Sequence, residues 1–198
     1  MSWESSLEYY KLLNRGIEKR LGGLHSARIV LSSMDFAELT ELQRAERWDD
    51  VAALLSEAAK GVEAAVDTPF LHLGDVVAGA CKARNLEKVA LIGTAFTMQR
   101  DFFTDRIASH GLEVLVPDER HHEAINAIIY GELVHGKVLD GSRKTIVSVI
   151  EELWDAGAQG VILGCTELEL LVKQADSELP VFPCTTLHVE AALDRALA

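Results

Sequence analysis

The sequence predicts an α/β fold in which helices cover both faces of a parallel sheet. Two observations lead there. Short runs that are apolar throughout alternate with longer stretches of helical periodicity, and a strand that is apolar on every position is one buried on both sides. The four prolines and fourteen glycines fall at the joints between these stretches and not in a linker. The 198 residues, 48% of them hydrophobic, suffice for one globular unit or two small lobes, since a chain of this size buries roughly 70% of its unfolded surface.

The elements follow in order. Leu7, Tyr10, Leu13, Ile17 and Leu21 recur at helical spacing and Gly22-Gly23 stops the run, so residues 5–21 form an amphipathic helix. Ala27-Arg28-Ile29-Val30-Leu31 reads as a strand. Residues 48–65 are Ala/Leu-rich and helical, with Asp49 and Asp50 well placed in the first turn. Further strands are expected at Phe70-Leu71-His72-Leu73, Val89-Ala90-Leu91-Ile92, Val114-Leu115-Val116, Val161-Ile162-Leu163 and Val181-Phe182, with helices between them.

Composition excludes several functions. With 19 Lys and Arg against 31 Asp and Glu the net charge is −12, which repels phosphate backbones, and no basic cluster compensates; no nucleic-acid partner is expected. No apolar run is long enough to span a membrane. The start of the chain has neither the basic nor the apolar region of a signal peptide. Cys81, Cys165 and Cys184 are too scattered for a disulfide framework or a four-ligand zinc site. Free thiols in a reducing cytoplasm are the expectation.

Two junctions look alike. Lys88-Val89-Ala90-Leu91-Ile92-Gly93-Thr94 and Gly160-Val161-Ile162-Leu163-Gly164-Cys165-Thr166 each run from an apolar strand through Gly and a small polar residue into a helix. Ligands of open α/β sheets bind at the carboxyl ends of strands, so both junctions point to one pocket for a small anion, against the plainer reading of Gly-Thr as a capped turn. Cys165 is the sharpest position. A thiol at the first turn of a helix faces the positive end of the macrodipole, which is expected to lower its pKa and let it serve as a base. Cys81 fits a helix interior, and Cys184 also begins a helix.

Met1-Ser2-Trp3-Glu4-Ser5, Arg20-Leu21-Gly22-Gly23-Leu24-His25-Ser26-Ala27, Gly93-Thr94-Ala95-Phe96-Thr97-Met98 and Gly164-Cys165-Thr166-Glu167-Leu168 occur in that order through nearly the whole chain. Together they resemble the cofactor-independent aspartate/glutamate racemases. The resemblance implies two flavodoxin-like lobes, here residues 1–73 plus 181–198 as a truncated first lobe and 74–180 as the second, and a homodimer. It implies a cysteine from each lobe flanking the substrate Cα, one removing the proton and the other delivering one, because inversion needs acid and base on opposite faces of one carbon. Neither pyridoxal phosphate nor metal takes part. Cys165 corresponds to the acid/base of the second lobe. Thr94 and Thr166 correspond to ligands of the substrate carboxylate, Ser2 to the loop beneath the substrate, and Gln43 or Arg44, with Lys137 as a further candidate, to contacts with the side-chain carboxylate.

The sequence departs from the family in three places. The strand ending in Gly-Gly that precedes Met-Ser-Trp-Glu-Ser in the family is absent. The strand and Cys-Asn-Thr that carry the first catalytic thiol are replaced by Glu63-Ala64-Ala65-Val66-Asp67-Thr68-Pro69, and Pro183-Cys184 stands where Asp-Thr is usual. The expectation is therefore a racemase of aspartate or glutamate impaired by loss of one thiol. The alternatives are an inactive dicarboxylate-binding homologue, or a one-thiol decarboxylase resembling the arylmalonate decarboxylases.

Overall fold

The structure, a computed structural model, describes residues 2–63 and 70–198, with residues 57–63 described as backbone only. The chain divides into two compact units, Met1–Phe70 and Leu71–Ala198.

The first unit holds three helices, α1 (Trp3–Leu21), α2 (Phe36–Arg44) and α3 (Trp48–Glu63). Ser2 caps α1 by accepting a hydrogen bond from Ser5 N–H at 3.2 Å, and Asp35 caps α2 through Ala37 N–H at 2.9 Å. Each such cap is worth about 1 kcal/mol. Among the described residues this unit has no strand. The strand expected at 27–31 is irregular chain with Val30 68% and Leu31 52% exposed, because an extended segment leaves its N–H and C=O groups unmatched unless another strand lies beside it. The helix expected over 48–65 is α3, and the substituted segment at 64–69 lies outside the described residues.

In the second unit α4 (Leu73–Ala83) precedes β1 (Lys88–Ile92), α5 (Ala95–Gln99), α6 (Asp101–Ala108), β2 (Glu113–Leu115), α7 (Glu119–Gly131) and α8 (Asp140–Asp155). Then come β3 (Val161–Leu163), α9 (Leu168–Leu171), β4 (Val181–Pro183) and α10 (Cys184–Ala196). All strand pairs are parallel, in the order β2-β1-β3-β4. The two-sided burial expected from the apolar runs is met by alternation along each strand. Ala90, Ile92, Val161 and Leu163 pack on one face with Ile125, Ile128 and Ile129 of α7 and Ile146, Val149, Ile150 and Leu153 of α8. Val89, Leu91, Ile162 and Phe182 pack on the other with Val77 and Cys81 of α4 and Phe103 and Ile107 of α6. The spacing of the α8 residues is the apolar stripe of one helix face. Val89, Leu91 and Ile92, all fully buried, contribute roughly 5–9 kcal/mol of burial.

Two further expectations are corrected. Residues 70–73 are not a strand: Phe70 is 85% exposed, and His72 caps α4 through an Nδ1 that accepts from Gly74 N–H at 3.0 Å. Residues 181–198, allotted above to the first lobe, lie in the second unit, because β4 hydrogen-bonds in register with β3 and Val189 and Leu193 of α10 are buried.

A candidate active site at the carboxyl edge of the sheet

Parallel register places the two similar junctions side by side. Ile92 pairs with Leu163, and one step later Gly164 N–H donates to Ile92 C=O at 2.7 Å, so the last ladder rung is made by the junction itself. The approach is close enough that a side chain at either glycine would displace a neighbour. A Cβ on Gly164 would lie 2.8 Å from Leu91 Cδ1 and 3.3 Å from Ile92 O, and one on Gly93 would lie 3.1 Å from Thr97 Cβ.

Beyond Gly93, Thr94 leaves the strand in an extended conformation and caps α5. Its Oγ1 accepts from Thr97 N–H at 3.3 Å and lies 3.1 Å from Thr97 Oγ1. The next amide, Ala95 N–H, donates to Asn126 Oδ1 of α7 at 2.9 Å, which ties the turn to the helix below. Beyond Gly164, Cys165 and Thr166 are both half-buried, and the turn closes through Leu168 N–H to Cys165 C=O at 3.1 Å. The Cys165 thiol donates to Glu167 Oε2 at 2.9 Å, and Glu167 is only 5% exposed. Among the described residues no group of three His, Cys, Asp or Glu side chains is placed to hold a metal ion.

The model of the Asp/Glu/Hydantoin racemase family matches residues 57–192. The chain belongs to that family. The crystal structure of a "putative Asp/Glu Racemase" from Yersinia pestis is 40% identical, with a TM-score of 0.86 over 100% of this chain and 96% of that one. That of PH1733, an aspartate racemase homologue from Pyrococcus horikoshii, is 31% identical, with a TM-score of 0.81 over 98% of this chain and 95% of the other. The Pectobacterium carotovorum "Uncharacterized protein in pnlA 3'region" is 28% identical over 105 residues, 53% of this chain and 69% of that protein.

Within this racemase-family chain the Cys165 thiol shifts in the direction opposite to the one expected. Burial pushes the Cys165 thiol well above its ordinary value, and the Glu167 carboxylate pushes it further by its charge and by accepting the S–H. The backbone N–H groups of Glu167 and Leu168 pull the other way and lose. The helix is too short to supply the expected field: α9 has four residues and begins three positions after the sulfur, so little dipole is summed there. Glu167 was the residue missed, although it stood in the same motif.

The other cysteines are core residues. Burial pushes the Cys81 thiol up to about 12. Cys184 is 3% exposed, and its thiol is raised by burial and then by the charge of Glu169. The N-terminus of α10 that Cys184 begins is already filled. The buried Glu169 carboxylate accepts from Thr185 N–H, from Thr186 N–H at 3.3 Å and from Thr186 Oγ1 at 3.0 Å.

The candidate residues fall in both units. Thr94, Cys165 and Thr166 share the carboxyl edge of β1 and β3. Lys137 is exposed in the loop before α8, and its side chain makes no hydrogen bond or ion pair among the described residues. Ser2, Gln43 and Arg44 belong to the first unit: Ser2 is the cap of α1, Gln43 is half-buried in α2, and Arg44 is exposed in the last turn of α2.

Proposed function

We propose that this chain acts on the Cα proton of aspartate or glutamate without a cofactor, with Cys165 as acid/base on one face of that carbon. Supporting this is one observation above the rest: a half-buried thiol at the carboxyl end of β3, beside the Thr94 turn of β1. Thr94 and Thr166 hold the substrate carboxylate through their hydroxyls. From the family resemblance alone, Ser2 is assigned to the loop beneath the substrate, and Gln43 or Arg44, with Lys137 as a further candidate, to its side-chain carboxylate. The thiol S–H is held by Glu167, so Cys165 must give up that proton before it takes the one on Cα, and as a thiol it can then return a proton to the Cα carbanion. The reading extends to a homodimer in a reducing cytoplasm, in keeping with three free cysteines. Among the described residues no helix is long and apolar enough to cross a membrane.

Deuterium uptake at Cα of L-aspartate or L-glutamate in heavy water tests the reading. Uptake with inversion marks exchange on both faces, and uptake with retention marks Cys165 as the one working thiol.

A second reading has its own support, since Cys81 and Cys184 are core residues with raised thiol pKa values. In it the chain binds a dicarboxylate and does not turn it over. Calorimetric binding of aspartate without deuterium uptake selects that reading.

A further inference from the structure

A carboxylate at the Thr94 turn needs more donors than the turn itself offers, since its two oxygens can accept about four hydrogen bonds. Thr94 Oγ1 accepts from Thr97 N–H at 3.3 Å and, with Thr97 Oγ1 donating to it over 3.1 Å, keeps one proton to give. The next backbone donor is already engaged: Ala95 N–H donates to Asn126 Oδ1 at 2.9 Å.

That same contact presents a new donor. A backbone N–H can only donate, so the Asn126 amide has its oxygen toward Ala95 and its NH2 group on the other side. Asn126 Nδ2 makes no hydrogen bond among the described residues. Asn126 is half-buried, and among the described residues no fully buried side-chain nitrogen or oxygen lacks a partner, so this nitrogen reaches solvent. It does so against the residue that follows Thr94.

The helix beneath holds it there. α7 lies across the carboxyl edge: His122 Nε2 donates to the C=O of Pro117, beyond β2, at 2.9 Å, and Gln99 Nε2 at the end of α5 donates to His122 Nδ1 at 3.0 Å. One helical turn on, Asn126 meets Ala95 at the start of α5. Past α7, Leu133 is buried in one cluster with Leu168 and Leu171 of α9, beyond β3. α5 is thus tied to α7 at both ends, and the Asn126 amide is fixed relative to the Thr94 turn.

We infer that Asn126 is a further substrate-binding residue: with Oδ1 pinned by Ala95 N–H, its Nδ2 donates to the carboxylate that Thr94 holds. The inference rests on the proposed function and deepens it. Asn126 relays the Ala95 donor, because accepting on the oxygen polarises the amide and strengthens its own N–H groups. A purely structural tie between α7 and α5 uses the oxygen alone.

Asn126→Asp separates the two roles. It keeps an oxygen for Ala95 N–H and puts a second carboxylate oxygen where the NH2 group was. The test is calorimetric binding of L-aspartate and L-glutamate to the intact chain near neutral pH. The variant is expected to raise Kd at least about tenfold, with the urea midpoint of the parent chain. Equal Kd in variant and parent overturns the inference. If Asn126→Asp is unfolded or destabilised, the parent chain decides by NMR. Its Asn126 side-chain amide protons are expected to move downfield as the amino acid saturates the site, and unmoved resonances overturn the inference. Binding without Cα exchange in the parent chain removes the racemase reading alone, whereas a parent chain that binds neither amino acid removes both.

Discussion

Gly164 N–H donates to Ile92 C=O at 2.7 Å, while a Cβ on Gly164 would meet Leu91 Cδ1 at 2.8 Å. One residue thus closes the β1–β3 ladder and leaves no room for a side chain unless Leu91 shifts, and Cys165 is the next residue along.

Gly164→Ala therefore forces either Leu91 or the strand end to move. Overpacking of this kind costs about 1–3 kcal/mol. The expected outcome is a lower denaturation midpoint in urea with an unchanged slope, together with weaker Cα exchange, because the Cys165 turn is displaced. Wild-type stability in this variant would show that the edge is looser than described.

Glu169 predicts a pH effect of definite sign. Burial raises its pKa above the ordinary value, against the hydrogen bonds from Thr185 and Thr186 that lower it. A carboxyl whose folded pKa is raised binds protons more tightly in the native state. Stability therefore falls as pH rises through the window between the unfolded value, about 4.3, and the raised folded value. Urea titrations at several pH values should show this fall in the parent chain. Glu169→Gln should remove it while keeping one acceptor for the α10 amides. A fall of the same size in the variant would assign the effect to another group.

Asp75 predicts the opposite sign. Arg106 Nε and the second guanidinium nitrogen bind its two oxygens at 2.6 and 2.7 Å, and His110 Nε2 lies 2.9 Å from Oδ1. These partners hold its carboxyl well below the usual range. Its contribution is present above the unfolded value near pH 4 and is lost as pH falls toward the lower folded value. The cluster is solvent-exposed, so high salt should weaken it. Asp75→Asn is expected to lower stability slightly near neutrality and to flatten its fall below about pH 4. An unaltered acid limb would refute the assignment.

What the sequence made legible depended on what each segment needs from the rest of the chain. The runs at 89–92, 161–163 and 181–182 are apolar on successive residues and adjoin Gly or Pro, so they read as buried whatever their neighbours, whereas β2 at the sheet edge has no fully buried residue. The runs at 27–31 and 70–73 are equally apolar, but a run becomes a strand only beside another. Phe70 ends exposed, and His72 spends its ring on a helix cap. The allotment of 181–198 failed for a related reason, since pairing between β3 and β4 is a matter of register and not of composition. At the site, the adjacency of Thr94 and Cys165 was legible from the repeated Gly-small-polar junction. The state of the thiol was not. Helix length depends on packing that the motif does not encode, α9 stops after four residues, and the Glu167 carboxylate two positions on accepts the S–H.

The central claim is that Cys165 moves the Cα proton. Its most direct measurement compares the parent chain with Cys165→Ala in heavy water, following deuterium at Cα of L-aspartate and L-glutamate by NMR. The account predicts uptake by the parent chain and none by the variant. Uptake by Cys165→Ala at the parent rate would contradict it.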